Sequence, residues 1–101
     1  MSYAPILLFV YNRPEHTHRC IESLLKNTLA SESNLFIYAD GVKDSTQQEA
    51  VNKVRNYIRT IQGFKQITLM ERSENWGLAR NIINGVTTQV NRYGKVIVLE
   101  D

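Results

Sequence analysis

The sequence predicts a doubly wound α/β fold, three layers built on a mostly parallel sheet with helices on both faces. Three observations carry that expectation. Four short apolar runs, Ile6-Leu7-Leu8-Phe9-Val10, Leu35-Phe36-Ile37-Tyr38-Ala39, Ile67-Thr68-Leu69-Met70 and Val96-Ile97-Val98-Leu99, begin about thirty residues apart, the size of a βα unit. Between them lie three stretches whose apolar residues recur at helical spacing. Each β-like run gives way to polar residues, and α/β sheets collect ligands beyond the carboxyl ends of their strands. Right-handed crossovers with one reversal after the third strand give the Rossmann-like order 3-2-1-4.

The elements follow in order. Ile6 to Val10 reads as a central strand, stopped by Tyr11-Asn12-Arg13-Pro14. Proline fits the first helical turn, where its missing N–H is not needed. Thr17, Cys20, Ile21, Leu24 and Leu25 give a helical face through about Asn27. The second strand closes at Asp40-Gly41. A helix then starts at Ser45, with Gln48 in capping-box position, and buries Ala50, Val51, Val54, Ile58 and Ile61 until Gly63 ends it. After the third strand, Glu71 to Trp76 is a polar connection. Gly77 opens a helix with Leu78, Ile82, Ile83, Val86 and Val90 on its inner side and Gly94 as the stop. The last run, continuous and β-branched, predicts a strand buried on both faces that delivers Glu100 and Asp101 at its tip.

Composition narrows the function. The 101 residues make a single domain, 1–101, and 43% hydrophobic with 22% charged residues is ordinary for a globular chain. A net charge of +2 with no basic run of five argues against nucleic acid. One cysteine, Cys20, excludes an internal disulfide and a cysteine zinc cluster. It fits a reducing compartment, hence a cytoplasmic location, at the membrane face for a longer protein. No apolar run is long enough for a membrane span, and Met1-Ser2-Tyr3 does not open a signal peptide.

Neither G-x-G-x-x-G nor G-x-x-x-x-G-K-[ST] follows the first strand, so no glycine-rich loop cradles a pyrophosphate there. The strand tips instead offer Tyr11, Asn12 and Arg13, then Asp40, then Asn75, Gly77 and Arg80 around the third helix, and Glu100-Asp101. A carboxylate can accept from a base N–H. Arginine can stack on a base or neutralise phosphate. Paired acids can hold a ribose and a divalent cation that bridges phosphates. Each residue also has a plainer reading: Asp40-Gly41 as a turn pair, Asn75 as a helix cap, Trp76 as packing over a helix end, Arg80 as an ion-pair partner of Glu71 or Glu74. His16 and His18 stand two apart on a helix and point in different directions, which rules out a shared metal.

Four stretches together carry a family likeness: Pro5 to Pro14, Ile37-Tyr38-Ala39-Asp40-Gly41, Glu74-Asn75-Trp76-Gly77-Leu78-Ala79-Arg80-Asn81, and Val96 to Asp101. The chain resembles the N-terminal nucleotide-binding half of GT-A glycosyltransferases of the family-2 type. It is also similar to the Golgi N-acetylglucosaminyltransferases that initiate complex N-glycans. The resemblance implies a metal-dependent transferase of hexosyl or N-acetylhexosaminyl groups, using a nucleoside diphosphate sugar, UDP-linked, and a glycan or other hydroxyl acceptor, with inversion. By the same resemblance Arg13 contacts the uridine, Asp40 the uracil edge, and Asn75 to Arg80 the ribose and diphosphate. Glu100-Asp101 begins the acidic motif that ligates Mn²⁺ or Mg²⁺, with Asp101 as metal ligand. The expectation is therefore the N-terminal part of a longer catalytic domain, inactive alone, with the fourth strand an open edge that favours self-association. Two other classes fit the scaffold: a non-catalytic α/β interaction module, and a nucleotidyltransferase-like domain, which would carry a glycine-rich basic stretch after the first strand.

Overall fold

A computed structural model describes residues 3–100. The elements alternate as β1 (Ile6–Val10), α1 (Pro14–Leu25), β2 (Asn34–Ala39), α2 (Gln48–Ile58), β3 (Gln66–Glu71), α3 (Leu78–Tyr93) and β4 (Ile97–Glu100). The four strands form one all-parallel sheet in the order β3-β2-β1-β4. This is the predicted doubly wound topology, with its reversal beside β1.

The pleat sorts side chains onto two faces. Ile6, Leu8, Val10, Leu35, Ile37 and Ala39 face α1 and α2, packing on Ile21, Val54 and Ile58. Leu7, Phe9, Phe36 and Tyr38 face the other way and meet Ile82, Val86 and Tyr93 of α3. β1 and β2 thus form the buried centre of the molecule, and their carboxyl tips are held rigidly. Among the described residues no helix is long and apolar enough to cross a membrane.

Four details differ from the sequence reading. β4 is the open edge that the strand order predicts, but it is not buried on both faces: Ile97 is 48% and Val98 41% exposed. The described residues place nothing against its outer side, so a run composed like a central strand lies half in solvent. The inner line of α3 is Asn81, Gly85 and Gln89, all buried, while Leu78, Ile83 and Val90 are exposed. Close approach explains it. A Cβ at Gly85 would stand 2.9 Å from Cζ of Phe9 and 3.0 Å from the Tyr38 ring, and Gln89 meets the Tyr38 hydroxyl at 3.0 Å. The start of α2 is not a Ser45 capping box. Asp44 caps a 3-10 turn, Ser45–Gln47, by accepting from the Thr46 N–H at 3.0 Å, and Gln48 bonds Asn52 instead. Finally, α2 ends at Ile58, and Gly63, with φ of 103°, shapes the loop that follows.

Candidate functional site

Where β1 and β2 end, the chain leaves a cavity of about 320 Å³. Phe9, Val10, Tyr38 and Leu78 give it apolar walls. Tyr11, Asn12, Arg13, Lys43 and Asn75 add polar groups, and Asp40, Gly77 and Asn81 complete the lining. Two helices begin at this cavity: α1 directly after Arg13 and α3 directly after Gly77. First-turn N–H groups lack intrahelical partners and carry partial positive charge, although α1 opens on Pro14, which has no N–H, and carries Glu15 in its first turn. Lys43 and Arg13 add full positive charges.

The turn before α3 is anchored on one carboxylate. Asp40 is only 6% exposed. Its Oδ1 accepts from the Gly41 N–H at 2.8 Å and the Trp76 N–H at 2.7 Å. Its Oδ2 accepts from the Gly77 N–H at 2.9 Å and from Asn75 Nδ2 at 3.2 Å. A carboxylate offers about four acceptor positions, and here the protein's own groups fill them. Asn75 also donates to the Gly41 carbonyl at 2.8 Å. It therefore ties two loops together rather than capping α3, whose N-cap is Gly77 at φ 82°. Gly41 is needed for a different reason. A Cβ there would meet the Glu74 carbonyl well inside van der Waals contact and the Asn75 nitrogen at 2.9 Å.

A second set of contacts holds the same turn from its far side. The Arg72 guanidinium lies 3.7 Å from the centre of the Trp76 ring and donates to Asn81 at 3.0 Å and Asn84 at 2.7 Å. Arg80 also stacks on Trp76, at 4.1 Å. Trp76 is thus packed, and it stacks with both arginines. At the β1 tip, Tyr11 accepts from the Lys43 N–H at 2.9 Å, joining the loops after β1 and β2. Arg13 donates to Nε2 of His16 at 2.6 Å. His18 pairs instead with Glu22 at 3.3 Å.

The structure therefore brings Tyr11, Asn12, Arg13, Asp40, Asn75 and Gly77 to one cavity, as the sequence analysis expects. Arg80 and Glu100 do not line it. Arg80 turns onto Trp76, and Glu100, in register with Phe9 at the sheet edge, is exposed. Asp101 lies outside the described residues. Leu78 lines the cavity within the expected Asn75–Arg80 stretch, whereas Lys43 and Asn81 of the cavity, and Arg55 and Arg72 of its support, were given no role by sequence reasoning. Their types are unremarkable, and only tertiary contact assigns them. Behind the cavity, Glu71 takes a two-pronged bond from Arg59, at 3.0 and 2.5 Å. Those hydrogen bonds, with the charges of Arg59 and Arg55, hold its pKa below the ordinary carboxylate value against the effect of burial.

The strand order and a cavity at the strands' carboxyl tips are those of a Rossmann-like α/β domain, although the cavity lies at β1 and β2 and not between β1 and β4, where the order reverses. The sequence goes further: residues 6–93 match the family described as Glycosyl transferase family 2. The chain belongs to that family, and its fold is the Rossmann-like part of a GT-A glycosyltransferase. Comparison with curated proteins and with solved structures returned no match.

Enzymes of this family generally use divalent metal ions. The described residues do not make a cation site by themselves. No three His, Cys, Asp or Glu side chains among them come together, and the carboxylate of the cavity, Asp40, already accepts four hydrogen bonds from the chain.

Proposed function

We propose that this chain forms the donor site of a glycosyltransferase and holds a nucleoside diphosphate sugar, UDP-linked, in the cavity between the β1 and β2 tips and the turn before α3. The observation that carries the reading is the pairing of apolar walls with cationic groups. Phe9, Val10, Tyr38 and Leu78 can bury the faces of a base and ribose. Arg13, Lys43 and the two helix N-termini offer charge and N–H donors to a diphosphate. Tyr11, Asn12, Asn75 and Gly77 belong to the same surface, with Asp40 behind them.

The reaction would be transfer of a hexosyl or N-acetylhexosaminyl group. An acceptor hydroxyl oxygen bonds to the anomeric carbon as the bond to the diphosphate oxygen breaks, the diphosphate leaves, and the hydroxyl proton passes to a base. The residues of this chain serve by positioning the donor and stabilising the leaving diphosphate. A base is not assigned to them: the carboxylate that lines the cavity is filled with hydrogen bonds. We expect the 101-residue chain to bind donor without transferring sugar. A Mn²⁺ or Mg²⁺ ion with Asp101 as ligand, near Glu100, belongs to the same proposal, and it rests on the family and on the acidic pair alone. So does self-association through the half-exposed edge strand β4.

Calorimetric titration with UDP, CDP and GDP tests the reading, each with and without Mn²⁺. Binding of UDP, weakened at least about tenfold by Arg13→Ala, supports it; a tenfold loss corresponds to about 1.4 kcal/mol. Absence of binding by all three nucleotides would overturn it.

A further inference from the structure

Arg55 sits on α2, on the sheet face opposite α3, and outside the cavity lining. Its Nη2 reaches over the sheet's carboxyl edge and donates to two main-chain carbonyls, that of Asp40 at 3.0 Å and that of Arg72 at 2.6 Å. These two residues are the ones whose side chains hold the turn before α3. Asp40 does so through the Trp76 and Gly77 N–H groups and the Asn75 amide. Arg72 does so through the Trp76 ring and Asn81. One guanidinium fork therefore fixes the origins of both arms, and its Nη1 lies 3.9 Å from Glu71.

We propose that Arg55 is a positioning residue of the donor site: by clamping the Asp40 and Arg72 carbonyls it sets where Asn75, Trp76 and Gly77 stand against a bound nucleotide. In this arrangement Asp40 anchors the turn as well as lining the cavity, its carboxylate accepting from Gly41, Asn75, Trp76 and Gly77. The inference rests on the nucleotide-binding reading above. It differs from a stability role in what it predicts. Loss of the clamp weakens every nucleoside diphosphate, because the turn moves as a body.

Trp76 is the sole tryptophan of the chain, so its fluorescence reports the turn directly, without any ligand. The test compares wild type, Arg55→Gln, Arg55→Lys, Asp40→Asn and Arg59→Gln. Arg59 pairs with the same Glu71 but touches neither carbonyl, so its variant controls for the loss of the ion pairs alone. Arg55→Gln is expected to weaken UDP, CDP and GDP equally, by about tenfold, the scale of a lost charge-assisted hydrogen bond. It is also expected to raise acrylamide quenching of Trp76, and Arg55→Lys to recover part of both. Asp40→Asn, which loses acceptors for the Trp76 and Gly77 N–H groups, should also raise the quenching of Trp76, while Arg59→Gln should match wild type in both readouts.

Wild-type affinity and quenching in Arg55→Gln would overturn the proposal, as would equal losses in Arg55→Gln and Arg59→Gln. If Arg55→Gln does not fold, Arg55→Lys decides: wild-type values in it would overturn the proposal. If wild type binds none of the three nucleotides, the donor-site reading fails, and the quenching series alone judges the positioning role.

Discussion

Replacing Gly41 by alanine separates a packing requirement from a conformational one. The glycines with positive φ are Gly63, Gly77 and Gly94. Gly41 is not among them, so its backbone admits an L side chain. On flexibility alone Gly41→Ala should stabilise the protein, by about 0.4–1 kcal/mol through the unfolded chain. The structure predicts the reverse. The new Cβ would collide with main-chain atoms of Glu74 and stand 2.9 Å from the Asn75 nitrogen, and backbone cannot swing aside as a side-chain tip can. Relief requires the turn to retreat by about 1 Å. Such a shift would stretch the Asp40 bonds to the Trp76 and Gly77 N–H groups, now 2.7 and 2.9 Å, beyond useful length.

Overpacking of this kind costs about 1–3 kcal/mol, and weakening a buried carboxylate's hydrogen bonds costs about 1–3 kcal/mol more. Subtracting the entropic gain leaves a net loss of about 1–5 kcal/mol, a fall in Tm of roughly 5 °C or more for a domain of this size. Urea denaturation with calorimetry measures it. A Gly41→Ala protein as stable as wild type, or more so, would refute the close approach on which the site's wall is built.

Three further outcomes follow from other contacts. Because Glu71 has its folded pKa lowered chiefly by the Arg59 hydrogen bonds, the stability it contributes is present above the unfolded carboxylate value and is lost as pH falls through the lowered one. Arg59→Gln should therefore flatten the loss of stability below about pH 4 in acid melts, and an unchanged acid limb would contradict the pairing. Gln89 donates to the Tyr38 hydroxyl while its own Oε1 is buried without a partner. Gln89→Met and Tyr38→Phe should each cost about 1 kcal/mol in urea melts and the double variant less than their sum; strict additivity would show no coupling. With Ile97 and Val98 half exposed on edge strand β4, sedimentation velocity should find concentration-dependent association that Val98→Lys reduces, and a strictly monomeric wild type would remove that expectation.

The fold was legible because β1 and β2 are apolar without interruption and the βα spacing is regular. The central pair in particular could hardly be anything but buried parallel strands. Burial in the outer elements was not legible. The edge position of β4 followed from the predicted strand order, but its exposure did not follow from its composition, because neighbours and not propensity decide burial. In α3 the apolar spacing pointed to Leu78, Ile82, Ile83, Val86 and Val90; Ile82 and Val86 do pack on the sheet, but Phe9 and Tyr38 also meet Gly85 and Gln89, and composition does not announce a helix that packs through a glycine.

The candidate site divides the same way. Tyr11, Asn12, Arg13 and Asp40 follow directly from strand ends, and Asn75 and Gly77 from a helix start, so position alone marks them. Arg80 stands on that same helix but turns its guanidinium onto Trp76, a rotamer choice no pattern reveals. Arg55 and Arg72 were invisible because their partners are main-chain carbonyls and asparagines far away in sequence.

The central claim is that the tips of β1 and β2 and the turn before α3 form one nucleotide site. Titrating the isotopically labelled chain with UDP and following its backbone amide resonances tests that most directly. The account predicts saturable shifts clustered at Phe9 to Arg13, Asp40 to Lys43 and Asn75 to Asn81, with Trp76 Nε1 among them. Shifts confined to the opposite end of the sheet, around Tyr3, Leu24 and Leu29, or no shifts at all, would contradict it.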